Sequence, residues 1–250
     1  MRKIHFKNIF LTLFVTGLLF SCSTLRKLQK TPIGLINNVS YTNSEFNNPN
    51  AGNGFLVEHQ SKTYAITAKH VLMIAKTDAM EFVAFEGGLK QWKMHPKNNE
   101  SSYVILEELL NSNRKDSLTW DYLDANWDTY NDWLVFSVKE NKSKHKPLKF
   151  RSTPIIKDES LYVVGWSYKD TIGEQRVYEY KFNQTEGDYH NLTQVNGPIS
   201  LGGLSGSPLV DEKGNVVGIV SSGWEDEKTK EIILQATSVK NAIEFISKLP

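Results

Sequence analysis

Residues 207–223, SPLVDEKGNVVGIVSSG, place two apolar runs around DEKGN, and this pattern limits the chain more than any other. Gly214 is available for a positive-φ turn position, so the segment is expected to be a β-hairpin. The same short-burst pattern recurs along the chain. GFLVEH (54–59) and TYAITA (63–68) flank the polar QSK and read as a second hairpin. DWLVFSV (132–138), SLYVVGW (160–166) and RVYEYKF (176–182) are further strands. Helical patterning is scarce. SYVILEELLNS (102–112) fits helix or strand, and SVKNAIEFISKL (238–249) puts Val239, Ala242, Ile243 and Ile246 on one face of a C-terminal helix. Many short strands with a single terminal helix predict an all-β fold of barrels or sandwiches. The basic, turn-prone ENKSKHKPLK (140–149) marks the boundary between two β units.

The 29 basic and 28 acidic residues give a net charge of +1. No long basic run and no basic–aromatic interleaving is present, which argues against a nucleic-acid partner. The first 22 residues stand apart. MRKIHFKNIFLTLFVTGLLFSC carries Arg2, Lys3 and Lys7 ahead of an apolar run from Ile9 to Phe20. That is the layout of a secretory signal peptide, and the run is shorter than the ~20 apolar residues of a comfortable membrane span. Its end, LFSC, resembles the lipobox of bacterial lipoproteins. That resemblance implies cleavage after residue 21, lipid on Cys22, and residues 22–35 as a tether to the membrane. Cys22 is the sole cysteine, so no intramolecular disulfide forms. An uncleaved anchor or a buried thiol is the alternative. Removing three cations and no acid takes the net charge from +1 to −2. Ser23, in place of the aspartate that holds some lipoproteins at the inner membrane, points to outer-membrane anchoring.

GGLSGSPLV (202–210) presses Ser205 into a glycine-rich turn. A serine hydroxyl is a poor nucleophile unless an imidazole takes its proton, and the imidazole needs a carboxylate to fix its tautomer. Three places meet these needs in order. TAKHVL (67–72) sets His70 just past an expected strand, where a side chain emerges at a barrel rim. His59, its strand-adjacent rival, falls beside a polar turn and is expected to be exposed. NDWLVFSV (131–138) sets Asp132 before a buried strand, whereas Asp121, Asp124 and Asp128 read as loop acids. In the third stretch, the N–H groups of Gly203 and Ser205 would form an oxyanion hole, and Gly206 would ease the turn. Pro208 then opens the next strand, where its missing donor is tolerated.

TAKHV, DWLVF and GGLSGSPLV…GNVVGIVSSG together resemble the trypsin-like, chymotrypsin-fold serine peptidases. They are similar above all to the bacterial branch holding the glutamyl endopeptidases and the peptidase domains of periplasmic heat-shock proteases. The order His70, Asp132, Ser205 is that family's order. An α/β-hydrolase elbow is excluded, because that family needs its histidine after the nucleophile and the last one here is His190. The resemblance implies two Greek-key antiparallel β-barrels with the active site in the cleft between them. The first, 36–139, would carry His70 and Asp132. A linker would follow over 140–150, and the second barrel, 151–250, would carry Ser205 and the C-terminal helix. It further implies a serine endopeptidase acting on peptide or protein substrates, without metal or organic cofactor.

By the same resemblance, Ile199 and Ser200 would line the base of the substrate pocket and Val220 its wall. Ser221 would lie near Asp132, and Gly223 would pair with substrate backbone. Glutamyl endopeptidases place a histidine where Val220 falls, and trypsin-like cleavage after Lys or Arg uses an aspartate where Ile199 falls. Neither is present, so a mostly apolar pocket for small or medium apolar side chains is expected. Leu204 replaces the acid that activates animal members by pairing with a freed α-amine, so activation by that pair is not expected. It also departs from the Asn common in the bacterial branch. The alternative function is a binding lipoprotein with a silent triad, and an esterase or amidase activity on the same residues is a third reading. The aromatic-rich WKMHPK and TWDYLDANWDTYNDW read either as core and loop packing or as a substrate-binding rim.

Overall fold

The computed structural model describes residues 23–71, 89–111, 132–170, 172–173 and 175–250. Helix α1 spans 23–30. Six strands follow in the first half: β1 (Leu35–Tyr41), β2 (Asn53–His59), β3 (Lys62–Thr67), β4 (Leu89–His95), β5 (Val104–Leu109) and β6 (Leu134–Asn141). The second half holds β7 (Ser160–Gly165), β8 (Arg176–Glu186), β9 (Tyr189–Asn196), β10 (Pro208–Val210), β11 (Val216–Glu225) and β12 (Ile232–Ser238), then helix α2 (Lys240–Ile246).

Each half closes into an antiparallel barrel, in the orders β1-β2-β3-β6-β5-β4 and β7-β8-β9-β12-β11-β10. The two orders are the same topology. In each, the fourth strand returns beside the first, the 4-1-2-3 order of a Greek key. Full closure leaves no long sheet edge to aggregate.

Turn chemistry explains the hairpins. The DEKGN turn has Gly214 at φ +88°, and the Asp211 side chain accepts the N–H groups of Lys213 (2.9 Å) and Asn215 (2.8 Å). The β2–β3 turn is tighter than the QSK spacing suggests. Lys62 already pairs with His59, so Gln60 (φ 50°) and Ser61 (φ 64°) make a two-residue turn without glycine. The described part of SYVILEELLNS, residues 102–111, forms strand β5 over Val104–Leu109. Val104 and Leu106 turn into the barrel with the period of two that a helix cannot supply.

Trp92, Phe55, Phe136 and Leu134 fill the first barrel, with the Trp92 and Phe136 rings 4.9 Å apart between centroids. Trp92 is therefore core, and so is Trp133, the one described aromatic of 119–133, which packs on Phe245 of α2 at 5.6 Å. Tyr178, Tyr180, Leu192, Leu209 and Leu234 fill the second barrel.

The connection between the halves and helix α2 both tie the barrels together. Leu148 exchanges hydrogen bonds with β2, through Glu58 N–H (2.9 Å) and Leu56 O (2.8 Å). One residue on, Lys149 O accepts from Val216 of β11 at 2.8 Å. The 142–159 connection is thus stitched into both barrels. Helix α2 buries Ala242 and Ile246, as its amphipathic pattern predicts, and reaches back to the first barrel. There Ser247 Oγ meets His59 Nε2 at 3.1 Å, which leaves His59 half-buried rather than exposed. At the other end, Leu28 and Ile33 are buried, and the Gln175 amide accepts from the Ile33 and Gly34 N–H groups (3.0 and 2.9 Å). Residues 23–34 are therefore packed onto the body. Cys22 and the preceding apolar run lie outside the described residues. Among the described residues, no helix is long and apolar enough to cross a membrane.

Candidate active site

His70 lies three residues beyond β3, and Asp132 lies two residues before β6, the strand that pairs with β3 through Thr67↔Leu134. That register brings together at the barrel rim two residues 62 positions apart in sequence. His70 N–H donates to Asp132 Oδ1 at 2.8 Å, and His70 Nδ1 lies 2.8 Å from Oδ2. The acid is thus gripped by both the backbone and the ring of one residue. Across the cleft, His70 Nε2 is 2.7 Å from Ser205 Oγ. Asp132 is fully buried, and His70 is 6% exposed. Asp121, Asp124 and Asp128 fall outside the described residues.

Charge at the pair follows from competing effects. Burial alone would push the Asp132 carboxyl up. The His70 ring, the Ser221 hydroxyl and the His70 N–H outweigh it and hold the carboxyl below the usual carboxylate range. Burial likewise opposes a charged His70, but the Asp132 charge and hydrogen bond prevail and raise the imidazole above its ordinary value. With Asp132 ionised, Nδ1 carries the proton as donor and Nε2 is left to accept from Ser205.

Ser221 Oγ donates to Asp132 Oδ2. A bulge makes this possible. In the β11–β12 ladder Val220 opposes Ala236 and Ser222 opposes Gln235, so Ser221 is the extra residue. Consecutive residues therefore both point inward, Val220 toward the pocket and Ser221 toward the acid.

The Ser205 turn depends on its glycines. Gly203 (φ +95°) and Gly206 (φ +82°) lie in the left-handed region, and a Cβ on Gly206 would come 2.1 Å from Asn53 O. Among the described residues, neither the Gly203 nor the Ser205 N–H donates to a backbone acceptor. Both remain available to a ligand beside Ser205 Oγ. Leu204 is fully buried in the second barrel's core, where an acid would be costly.

A cavity of about 240 Å³ adjoins Ser205, lined by Leu201, Gly202, Val220, Ser221, Ser222, Gly223 and Leu234. Val220, Ser221 and Gly223 line this cavity. Ile199 and Ser200 do not. Ile199 is 94% exposed, and the Ser167 hydroxyl holds Ser200 O at 2.6 Å, so the chain enters the pocket only at Leu201. Leu201 packs on Gly223, whose missing Cβ would lie 2.4 Å from Leu201 Cδ1. Leu201 and Leu234, which no motif in the sequence singles out, are apolar walls of the same cavity. A larger cavity, about 620 Å³, lies between the second barrel and α2, near Phe182, His190, Val217 and Ile243. It contains none of the Ser205, His70 or Asp132 side chains, so chemistry rather than size identifies the site. Among the described residues, no group of three or more His, Cys, Asp or Glu is placed to hold a metal.

The family described as trypsin-like peptidase domain matches residues 52–219, more than half of the chain. No curated protein matches it in sequence. Solved structures share its fold at low identity. A serine endoprotease from Yersinia pestis is 18% identical with a TM-score of 0.55, over 90% of this chain and 64% of that one. The active form of a protease from M. tuberculosis is 15% identical with a TM-score of 0.54, over 92% and 85%. Neuropsin, a serine protease of mouse brain, is 15% identical with a TM-score of 0.59, over 88% and 95%.

Proposed function

The chain belongs to the trypsin-like serine peptidases, and from that premise we propose that it is an endopeptidase working through an acyl-enzyme on Ser205. The reading rests on one observation, the unbroken chain from Asp132 through His70 (2.8 Å) to Ser205 Oγ (2.7 Å). Ser205 Oγ attacks the scissile carbonyl carbon as its proton passes to His70 Nε2, and Asp132 stabilises the imidazolium. The N–H groups of Gly203 and Ser205 bind the resulting oxyanion. Collapse breaks the C–N bond, His70 protonates the leaving amine, and water repeats the cycle to release the acid and restore Ser205.

Substrate backbone has a place to bind. Strand β10 pairs with β11 only as far as Ile219, so among the described residues the outer edge of 221–225 has no strand partner. An extended peptide adds to that edge by β-augmentation, with Gly223 as its backbone partner. The side chain before the cut enters the Leu201–Val220–Leu234 pocket. With no cation or imidazole in that lining, a small or medium apolar residue fits better than glutamate. The branch with periplasmic heat-shock proteases is therefore the better placement. The lipobox-like LFSC supports an envelope anchor through lipid on Cys22, and Ser23 favours the outer membrane.

Cleavage of a proteome-derived peptide library by wild type, absent with Ser205→Ala, tests the activity. Cuts after apolar residues are expected. Clean wild-type protein without turnover, binding partners as Ser205→Ala does, would instead favour a silent binding module. Cell-envelope protein carrying a diacylglycerol mass on Cys22, lost in Cys22→Ala, tests the anchor.

A further inference from the structure

Four consecutive carbonyls frame Ser205, and each has a fixed donor. Gly202 O accepts from Tyr168 N–H at 2.9 Å, and Leu204 O from Ser207 N–H at 2.9 Å. Gly203 O accepts from Asn53 Nδ2, and Ser205 O from Asn53 N–H at 2.7 Å. In a trans peptide the carbonyl and the following N–H point opposite ways. Holding Gly202 O and Leu204 O therefore aims the Gly203 and Ser205 N–H groups, the two oxyanion donors. Holding Gly203 O and Ser205 O aims the intervening N–H groups away, where Leu204 donates to Leu201 O (3.1 Å) and Gly206 to Val220 O (2.8 Å).

Asn53 is the common element. It opens β2 in the first barrel, is 1% exposed, and grips the turn of the second barrel at two carbonyls. Its amide also clasps Trp166, accepting from the N–H at Oδ1 (3.1 Å) and donating to the carbonyl from Nδ2 (2.9 Å). Trp166 lies two residues before Tyr168, whose N–H holds Gly202 O and whose ring packs over Gly203. The amide orientation is fixed, because reversing it would face oxygen with two carbonyls and NH2 with an N–H. The Asn53 carbonyl is itself held, by Asn37 Nδ2 (2.8 Å) and Thr67 Oγ1 (2.6 Å).

We propose that Asn53 is a positioning residue for the oxyanion hole, keeping both donors presented before substrate arrives. It takes over the task that an acid at position 204 and a freed α-amine would otherwise perform, which leaves Leu204 free to serve as core. The inference rests on the reading of Ser205 as the nucleophile. Aspartate has the right shape but sets an oxygen against the Gly203 and Trp166 carbonyls, and serine is too short to reach both.

The test compares full-chain wild type, Asn53→Asp, Asn53→Ser and Trp92→Phe on a fluorogenic peptide, well below each melting midpoint. Trp92→Phe removes a buried hydrogen bond to Asn37 from the same network without touching the turn. Loss of oxyanion alignment costs about 100-fold in kcat. That fall is expected in both Asn53 variants, with KM within about threefold. Affinity for a peptidyl boronate should fall in parallel, and the pH midpoint of kcat/KM should stay put because His70 and Asp132 are untouched. Trp92→Phe should lower the melting midpoint and keep kcat. If Asn53→Asp does not fold, Asn53→Ser carries the comparison. Active wild type with kcat preserved in the Asn53 variants, or lost equally in Trp92→Phe, overturns this inference alone. Wild type without turnover overturns the peptidase reading, and this inference with it.

Discussion

Ser221 Oγ, on the second barrel, donates to Oδ2 of Asp132, the same carboxylate oxygen that receives the His70 ring. The buried acid of the first barrel is thereby satisfied from both sides of the cleft, and the two halves are coupled at the reacting centre. Ser221→Ala leaves that oxygen one donor short. A hydrogen bond to a buried charge is worth about 1.5–3 kcal/mol, so kcat/KM should fall by about 10- to 150-fold. Steady-state kinetics with a peptide substrate checks it, and an unchanged rate would remove Ser221 from the account.

The pH dependence has a definite sign. His70 acts as a base only when neutral, and Asp132 raises its pKa above the ordinary value of about 6.5. The rise of kcat/KM with pH should therefore be centred above that value. Stability runs the other way. The protonated ring is favoured in the folded chain, so its stabilisation is full below about pH 6.5 and fades as pH climbs through the folded value. The melting midpoint of wild type relative to His70→Gln should shrink over the range in which activity appears. A rate midpoint at or below the ordinary histidine value would contradict this.

Leu201 packs on Gly223 and lines the cavity beside Ser205 together with Val220. Leu201→Ala opens that volume. Pocket changes of this size shift discrimination by about 10-fold or more. Competition between peptides with Phe and with Val before the cut should move toward Phe by that factor. If the preference stays the same, Leu201 is not the limiting wall.

Gly206 has no room for a side chain. At φ +82°, with Asn53 O 2.1 Å from a would-be Cβ, Gly206→Ala must displace backbone from backbone. A strain of at least about 2 kcal/mol is expected. Thermal unfolding should show a loss of several degrees together with lost activity. A variant as stable and active as wild type would show that the turn is looser than its contacts imply.

The parts of the fold legible in the sequence are those whose patterns are local. The hairpins around Gln60 and Gly214, the C-terminal helix and the strands carrying apolar runs can be read directly. Strands β1, β4, β9 and β12 cannot, because polar residues interrupt them. Asn37, Asn191 and Gln235 are buried polar groups whose side chains find partners on other strands or distant turns once the barrel closes. The positions of His70, Asp132 and Ser205 follow from chemical need and chain order. The pocket does not, since the contact between Ser167 and Ser200 O decides which residue first faces inward. Leu201 takes the place the sequence suggests for Ile199. Nor does any local pattern mark the bulge at Ser221 or the reach of Asn53, both of which depend on contacts across long stretches of chain.

Reaction of the folded protein with a fluorophosphonate, read by intact mass and peptide mapping, tests the central claim most directly. One adduct on Ser205 is predicted, abolished by Ser205→Ala and slowed at least about 100-fold by His70→Ala. Folded protein that takes no adduct at Ser205, or takes it equally fast without the His70 imidazole, would contradict it.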